Sequence, residues 1–375
     1  MTPEPSLAWL EKTGLADVAD KVFGGARLDF DEGCRLFRTP ETRALFALAD
    51  WAKRRRHGRK IFYVLNQHIN YSNVCKEVCL FCAFGKRKGE DGAFEMSLDE
   101  VFLKAERLTR TGATELHIVG GVHPDLPFRY YLDMLRGLKL RHPGVALKCF
   151  TAVEIDTFAD LIGGSVESVL RQLCDAGLAA LPGGGAEIFA EATRKQICPT
   201  KSDADRWLDI HRTAHRLGIP SNCTMLYGHV ESVEDRVDHL IRLRRLQDES
   251  RGFMAYIPLA FHPENTMLAY IPAPQREDHL RQLAAGRLIF DNIDHVKVYW
   301  IMAGLQNARA GLHCGADDID GTVVEEKIYH MAGAQTPQEM SEAELRAIIE
   351  GEGLEPVRRD CLYREAPAAA GAATA

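Results

Sequence analysis

The stretch IFYVLNQHINYSNVCKEVCLFCAF, residues 61–84, joins a β-strand pattern to a cysteine-rich loop. Its first six residues are mostly apolar and partly β-branched, which predicts a buried strand over 61–66. Cys75, Cys79 and Cys82 follow with the spacing C-x3-C-x2-C. From Ile61 onward, short apolar runs alternate with longer amphipathic stretches, a pattern typical of repeated βα units around a parallel sheet.

The repetition predicts an α/β fold, a (β/α)8 TIM-like barrel over residues 59–335. Residues 1–58 read as an N-terminal helical extension and residues 336–366 as a C-terminal helical segment that packs on the barrel. The alanine-rich tail, 367–375, is predicted to be disordered. Predicted strands lie at 61–66, 115–119, 146–151, 178–181, 220–226, 253–260 and 295–301, with an eighth near 311–314. Predicted helices lie at 97–111, 128–141, 165–176, 202–217, 232–249 and 276–291.

The cysteine count separates kinds of metal site. A structural zinc site closes with four protein ligands, and an electron-carrying cubane cluster normally also takes four cysteines. Cys75, Cys79 and Cys82 can hold three irons of a [4Fe-4S] cluster and leave the fourth open to an outside ligand. The same spacing, i, i+4 and i+7, also suits the buried face of a helix. Turn-forming residues on both sides favour a loop, and we favour the cluster.

Composition limits the class of protein. The chain has 375 residues, 46% of them apolar and 26% charged, which is typical of a globular protein. A net charge of −7 gives no reason to expect a nucleic-acid surface. The sequence shows neither a signal-peptide pattern nor an apolar run long enough to span a membrane, so a cytoplasmic location is expected. The other seven of the ten cysteines are scattered singly and are expected to be reduced.

In a parallel barrel, binding groups gather in the loops after the strands. An open iron among glycines and carboxylates fits a ligand that carries an amino acid, a ribose and a base, such as S-adenosylmethionine (SAM). Glycine lets backbone approach such a ligand closely, and carboxylates can bind its ribose hydroxyls or ammonium group. Tight turns, barrel ion pairs and simple packing are the alternative roles. The candidate cofactor-binding residues are Phe81, Gly120, Gly121, Glu154, Gly183, Gly184, Gly185 and Glu187.

The same loops offer acid–base groups and cations. Tyr227 and His229 are candidate catalytic residues, although a buried histidine is often only a satisfied polar group. Candidate substrate-binding residues are His123, Lys148, Arg194, Arg287 and Lys297, whose cations could instead pair with acidic side chains. The basic runs 53–60 and 86–88 could steer an acidic electron donor, or could form a solvated face.

With these residues in view, the chain resembles the radical SAM superfamily and, within it, the aminofutalosine synthase family of the futalosine route to menaquinone. The resemblance covers roughly residues 60–365. His68-Ile-Asn-Tyr-Ser-Asn-Val-Cys75 is shared with the cyclic dehypoxanthinyl futalosine synthases and with the radical enzymes of deazaflavin cofactor synthesis. Leu181-Pro-Gly-Gly-Gly-Ala-Glu-Ile-Phe189 resembles the futalosine enzymes and not the deazaflavin branch. Ile257-Pro-Leu-Ala-Phe-His-Pro263 resembles the aminofutalosine synthase form and not the cyclase. Ser72 and Cys223 are mild departures from that pattern.

The resemblance implies a radical SAM barrel with a [4Fe-4S] cluster and SAM as cosubstrate. It implies a transferase that adds the 5′-deoxyadenosyl radical to the enolpyruvyl double bond of 3-[(1-carboxyvinyl)oxy]benzoate. Aryl migration and loss of a carboxyl as bicarbonate then give 6-amino-6-deoxyfutalosine, with methionine released. The expected partners are this small molecule and a reductant such as flavodoxin or ferredoxin, with neither nucleic acid nor membrane.

Two other functions remain open from the sequence. The cyclase of the same pathway would use SAM for hydrogen abstraction and would release 5′-deoxyadenosine. A non-catalytic metal-binding or electron-transfer protein would add a fourth ligand, such as Cys149, to the three cysteines. The fate of the adenosyl group separates the first alternative, and SAM cleavage separates the second.

Overall fold

The computed structural model describes residues 5–107 and 111–366, so the predicted tail lies outside the described residues. The first described elements are four helices: α1, Leu7–Glu11; α2, Ala16–Gly24; α3, Phe30–Arg38; and α4, Thr42–His57. Helix α3 starts with a capping box, because Asp29 accepts from the amide of Glu32 while Glu32 accepts from the amide of Asp29. The predicted N-terminal extension is therefore helical where it is described.

Ten strands follow in the described part of the chain, and every pairing between them is parallel. They are β1, Lys60–Val64; β2, Asn66–Ile69; β3, Glu115–Ile118; β4, Ala146–Cys149; β5, Leu178–Ala180; β6, Ser221–Tyr227; β7, Phe253–Ala260; β8, His295–Val296; β9, Asp318–Gly321; and β10, Glu355–Arg358. The strand orders are β10-β1-β9, β2-β3-β4-β5 and β6-β7-β8.

Single parallel bridges close these three sheets into one barrel. Leu181 pairs with Ser221, Lys297 with Asp318, and Gln67 with Val324. Strands β1 and β2 are two halves of one interrupted strand, so eight strand positions surround the barrel. The structure thus has the predicted α/β class and TIM-like arrangement.

Helices surround the strands: α5, Leu98–Ala105; α6, Phe128–Arg141; α7, Ala152–Ile162; α8, Val166–Ala176; α9, Glu191–Ile197; α10, Ala204–Arg216; α11, Val233–Ser250; and α12, Arg276–Ile289. The remaining helices are α13, Trp300–Ala303; α14, Leu305–Gly311; α15, Ile328–Met331; and α16, Glu342–Gly351. Among the described residues, no helix is long and apolar enough to cross a membrane.

Several elements differ from the prediction: helices occupy Ala152–Ile162 and Glu191–Ile197, where none was predicted, and the strand that begins at His295 ends at Val296 instead of residue 301. The eighth strand is β9, at 318–321, whereas 311–314 lies at the end of α14 and in the turn after it. Its sequence, Asp-Ile-Asp-Gly, lacks a β-branched run, and buried ion pairs satisfy both of its carboxylates, Asp318 with Arg359 and Asp320 with Lys297. The C-terminal segment is also not purely helical, because β10 pairs with β1 over Lys60–Tyr63.

Candidate active site

A cavity of ≈ 300 Å³ opens at the carboxyl ends of the strands. All eight strand positions or the loops after them contribute to its wall, from His68 on β2 to Asp320 on β9. Cys75, Cys79 and Cys82 line this cavity together with Phe81. The structure therefore gathers the predicted cluster loop and the inside of the barrel around one space.

The cysteine loop is held by hydrogen bonds to sulfur and to a neighbouring segment. The amide of Val122 donates to Sγ of Cys75 and the amide of Gly85 donates to Sγ of Cys82, each over 3.3 Å. The amide of Leu80 donates to the carbonyl of Ile197 over 2.7 Å. These contacts hold the cysteine loop in an irregular, non-helical conformation.

The thiols fit an iron–sulfur cluster. Burial raises the pKa of Cys75 and of Cys79, and Cys82 raises both further. A bound metal would offset that cost, because coordinating thiolates are deprotonated. Cys149, the possible fourth ligand, is buried on β4 and is not among the residues that line the cavity.

The glycines make room chiefly for neighbouring protein. A Cβ at Gly120 would lie 2.6 Å from the ring of Tyr71, and one at Gly121 would lie 2.3 Å from the carbonyl oxygen of Val74. Gly183 has φ +89°, and a Cβ there would lie 2.3 Å from a backbone oxygen of the neighbouring strand. These contacts require glycine whether or not a ligand is bound.

The five glycines differ in where they lie. Gly120, Gly121, Gly184 and Gly185 line the cavity, whereas Gly183 is not among its lining residues. The prediction that all five approach the cofactor is therefore corrected for Gly183, which packs against β6.

Glu154 is not a free carboxylate of the site. It lies in the first turn of α7 and accepts from the amide and hydroxyl of Thr151 over 2.7 and 2.8 Å, and from the hydroxyl of Tyr71 over 2.7 Å. The amide of Gly120 donates to it over 3.3 Å. Its side chain is 1% exposed, and burial raises its pKa to about 7. These hydrogen bonds show that Glu154 caps helix α7 and supports the turn at Gly120. The sequence predicted a loop here, although Thr151-x-x-Glu154 is a capping-box pattern.

We expect Glu154→Ala to destabilise the protein by about 2–4 kcal/mol, because it removes a helix cap and leaves the buried hydroxyl of Tyr71 with only the carbonyl of Gly121, 3.4 Å away, as an acceptor. Urea unfolding measures this loss. The matched control is Glu100→Ala, in the exposed capping box of Ser97, which should cost only about 0.5–1 kcal/mol. Unchanged stability together with weaker SAM binding would contradict the structural role.

Glu187 lies on the cavity wall beside a lysine that the sequence analysis missed. Nζ of Lys201 lies 2.5 Å from Oε1 of Glu187 and 5.4 Å from the centre of the Phe81 ring. Burial opposes the charge of Lys201, but Cys79 and Glu187 raise its pKa well above the usual value. A single lysine in a loop gives no periodic signal, and only the fold brings it to the cluster loop.

The predicted acid–base residues lie outside the cavity. The hydroxyl of Tyr227 is hydrogen-bonded to Nδ1 of His279, and Nε2 of His229 lies 3.2 Å from the carbonyl of Leu226. His123 accepts two backbone amides at Nδ1, and its Nε2 lies 2.7 Å from Glu95. None of the three predicted residues is among those that line the cavity. They are satisfied structural groups, so the prediction that they contact substrate is corrected.

The four predicted cations divide into two classes. Lys148 and Lys297 line the cavity and pair with Glu115 and Asp320, each over 2.8 Å. Arg194 instead donates to the carbonyls of Gly185, Ala186, Ile188 and Ser202, and so holds the glycine-rich loop.

Arg287 is at the far end of the barrel. It donates to Asp317, which directly precedes β9, and to the carbonyls of Asp294 and Gly315. Its guanidinium is buried among groups at the amino ends of the strands. Arg194 and Arg287 are therefore structural in this chain, contrary to the prediction.

Two models of protein families match the chain: the Radical SAM superfamily over residues 69–243, and the CofH/MqnC C-terminal region over residues 250–370. The chain is 47% identical over 355 residues to the aminodeoxyfutalosine synthase of Thermus thermophilus. The matched region covers 94% of this chain and 95% of that protein. This chain belongs to the radical SAM superfamily. Within it, the chain groups with the aminodeoxyfutalosine synthases.

Other relatives give the range of this group. The aminodeoxyfutalosine synthase of Streptomyces coelicolor is 40% identical, with 92% of each chain covered. The 5-amino-6-(D-ribitylamino)uracil–L-tyrosine 4-hydroxyphenyl transferase of Methanopyrus kandleri is 38% identical, with 82% of this chain and 84% of that protein covered.

Solved structures support the radical SAM fold at low sequence identity. Methylornithine synthase has a TM-score of 0.73 at 17% identity, covering 91% of this chain and 97% of its own. The [FeFe]-hydrogenase maturase HydG has the same TM-score and identity, covering 94% of this chain and 79% of its own. These likenesses concern the barrel alone.

Proposed function

We propose that this radical SAM enzyme is an aminodeoxyfutalosine synthase. It joins the 5′-deoxyadenosyl group of SAM to the enolpyruvyl carbon of 3-[(1-carboxyvinyl)oxy]benzoate and consumes one water, and forms 6-amino-6-deoxyfutalosine, methionine, bicarbonate and a proton as a step in menaquinone biosynthesis. The observation that carries the proposal is 47% identity to an aminodeoxyfutalosine synthase over almost the full length of both chains.

Cys75, Cys79 and Cys82 are the proposed ligands of a [4Fe-4S] cluster with one open iron. When bound, such a cluster supplies the electron that cleaves SAM into methionine and a 5′-deoxyadenosyl radical. The amides of Val122 and Gly85 would stabilise thiolates by donating to sulfur. Flavodoxin or ferredoxin is the proposed reductant, and the cytoplasm is the proposed location.

The proposed SAM contacts all line the cavity near the cysteine loop; they are Phe81, Gly120, Gly121, Gly184, Gly185 and Glu187. Lys148 and Lys297 are the proposed contacts of the two substrate carboxylates. An ammonium group has three donors, so each lysine can keep its acidic partner and still bind an added carboxylate. All lining residues lie within 68–332, which makes the predicted barrel segment 59–335 the proposed catalytic unit.

The relatives define the test. The reconstituted enzyme is incubated anaerobically with SAM, dithionite and one of three substrates: the enolpyruvyl benzoate, dehypoxanthinyl futalosine, or tyrosine with 5-amino-6-(D-ribitylamino)uracil. We expect a substrate-derived product only from the first. Conversion of the second would assign the cyclase, and conversion of the third would assign the transferase named among the relatives. SAM left intact in every case would favour a non-catalytic metal protein.

A further inference from the structure

The cavity wall has no unpaired lysine to receive an incoming anion. Three lysines line it among the described residues, and each has a carboxylate partner within 2.8 Å: Lys148 with Glu115, Lys297 with Asp320, and Lys201 with Glu187. Glu77 and Glu326 add two further carboxylates to the lining. A substrate with two carboxylates therefore brings negative charge into a wall whose cations are already neutralised.

Two histidines form a stacked pair on the same wall. His68 on β2 and His117 on β3 are register partners, and their rings lie 4.5 Å apart at 11°. Both line the cavity. His68 is 7% exposed, and its Nε2 is buried without a hydrogen-bond partner in the described part of the chain. Such an atom is costly unless a ligand satisfies it.

The groups that face His68 lie on β3, on β8 and β9 and in the segments after them, and the ring of Tyr299 stacks over it at 6.5 Å. Burial lowers its pKa, Glu326, Asp320 and Glu115 raise it, and Lys297 lowers it. Burial likewise lowers the pKa of His117, and His68 and Lys148 lower it further. Before substrate binds, both imidazoles are therefore neutral at neutral pH.

We propose that the His68–His117 pair takes up a proton from solvent when an aromatic dicarboxylate binds, and that the imidazolium formed donates a hydrogen bond to one of its carboxylates. The inference rests on the proposed function, because it needs a dianionic substrate. A carboxylate at hydrogen-bond distance favours the charged imidazolium, and the added proton offsets one of the two charges that enter.

Glu115 is the nearest competitor for this proton. Burial raises its pKa, but Lys148 and other cations hold the value to about 2, so it stays ionised at neutral pH. His262 is the other lining histidine, and its Nε2 already lies 3.1 Å from the carbonyl of Met302. The stacked pair differs from both groups, because Nε2 of His68 has no hydrogen-bond partner among the described residues.

Calorimetric titration tests the proposal on the cluster-loaded enzyme with SAM and without reductant, so that no turnover occurs. Enolpyruvyl benzoate is titrated at pH 7.5 in two buffers of different ionisation enthalpy, which gives the number of protons taken up. We expect about one proton per substrate for the unmodified protein and for His262→Gln, and little or none for His68→Gln. KM of the unmodified protein should rise with pH above neutrality, and this rise should flatten in His68→Gln.

Three outcomes overturn the inference. Binding and turnover without proton uptake would refute it while leaving the proposed function intact. Proton uptake that persists in His68→Gln but disappears in His262→Gln would show that His262, and not the stacked pair, takes up the proton. If the unmodified protein neither binds nor converts enolpyruvyl benzoate, the proposed function and this inference both fail. Circular dichroism of each variant shows that it is folded.

Discussion

Replacing Cys75, Cys79 or Cys82 singly by serine is expected to leave a folded protein that keeps little iron and cannot cleave SAM. All three cysteines line the cavity. The hydroxyl of serine is far less acidic than a thiol and is a harder ligand, so it binds iron poorly in place of a thiolate. The loop should keep its shape, because backbone contacts such as that from Leu80 to Ile197 do not involve sulfur. Iron and sulfide analysis after anaerobic reconstitution, with dithionite-dependent methionine release, measures the effect.

Cys198→Ala is the informative control for this set. Cys198 is 1% exposed and lies near enough to Cys79 to raise its pKa, yet it is not among the cavity-lining residues. We expect this variant to retain the cluster and SAM cleavage. Cluster loss in Cys198→Ala or in Cys149→Ala would indicate a fourth protein ligand, and would contradict an open iron.

Neutralising the two lysine pairs of the cavity is expected to raise KM for enolpyruvyl benzoate while SAM cleavage in the absence of substrate continues. The variants are Lys148→Met/Glu115→Gln and Lys297→Met/Asp320→Asn. Each removes both members of a buried pair, because removing one alone would leave an unpaired charge and cost about 3–5 kcal/mol of stability. A hydrogen bond from a charged group contributes about 1.5–3 kcal/mol, so KM should rise about 10- to 150-fold.

The matched control is Arg287→Gln/Asp317→Asn, a buried pair at the amino ends of the strands. It should lower the unfolding temperature without changing KM for either substrate. Equal KM changes in the control and in the cavity variants would show that stability, rather than substrate contact, explains the effect. An unchanged KM in both cavity variants would remove Lys148 and Lys297 from the substrate site.

Local sequence signals predicted the barrel and the cysteine loop well. Apolar runs such as Phe253–Ala260 identify buried parallel strands because both faces of such a strand are covered. Strand β9 was missed because its burial depends on two ion pairs, Asp320 with Lys297 and Asp318 with Arg359. Both basic partners lie far from the strand in the sequence, so no local pattern indicates them. Helix α7 was missed although Thr151 and Glu154 carried a recognisable cap signal.

The polar residues of the site were harder to predict, because residue type does not show which direction a side chain faces. Arg194 and His229 lie next to glycine-rich or strand-end motifs, yet their donors and acceptors are used by backbone. Conversely, His68, His117 and Lys201 reach the cavity only through strand pairing and loop packing. Tertiary structure decides this distinction.

The most direct test of the central claim is the fate of the adenosyl group. The reconstituted enzyme is incubated anaerobically with dithionite, enolpyruvyl benzoate and SAM that carries ¹³C throughout its ribose. The products are then separated, and identified and quantified by mass spectrometry. We expect the labelled ribose to appear in 6-amino-6-deoxyfutalosine in an amount equal to the methionine released. Quantitative recovery of the label as free 5′-deoxyadenosine, with no labelled adduct, would contradict it.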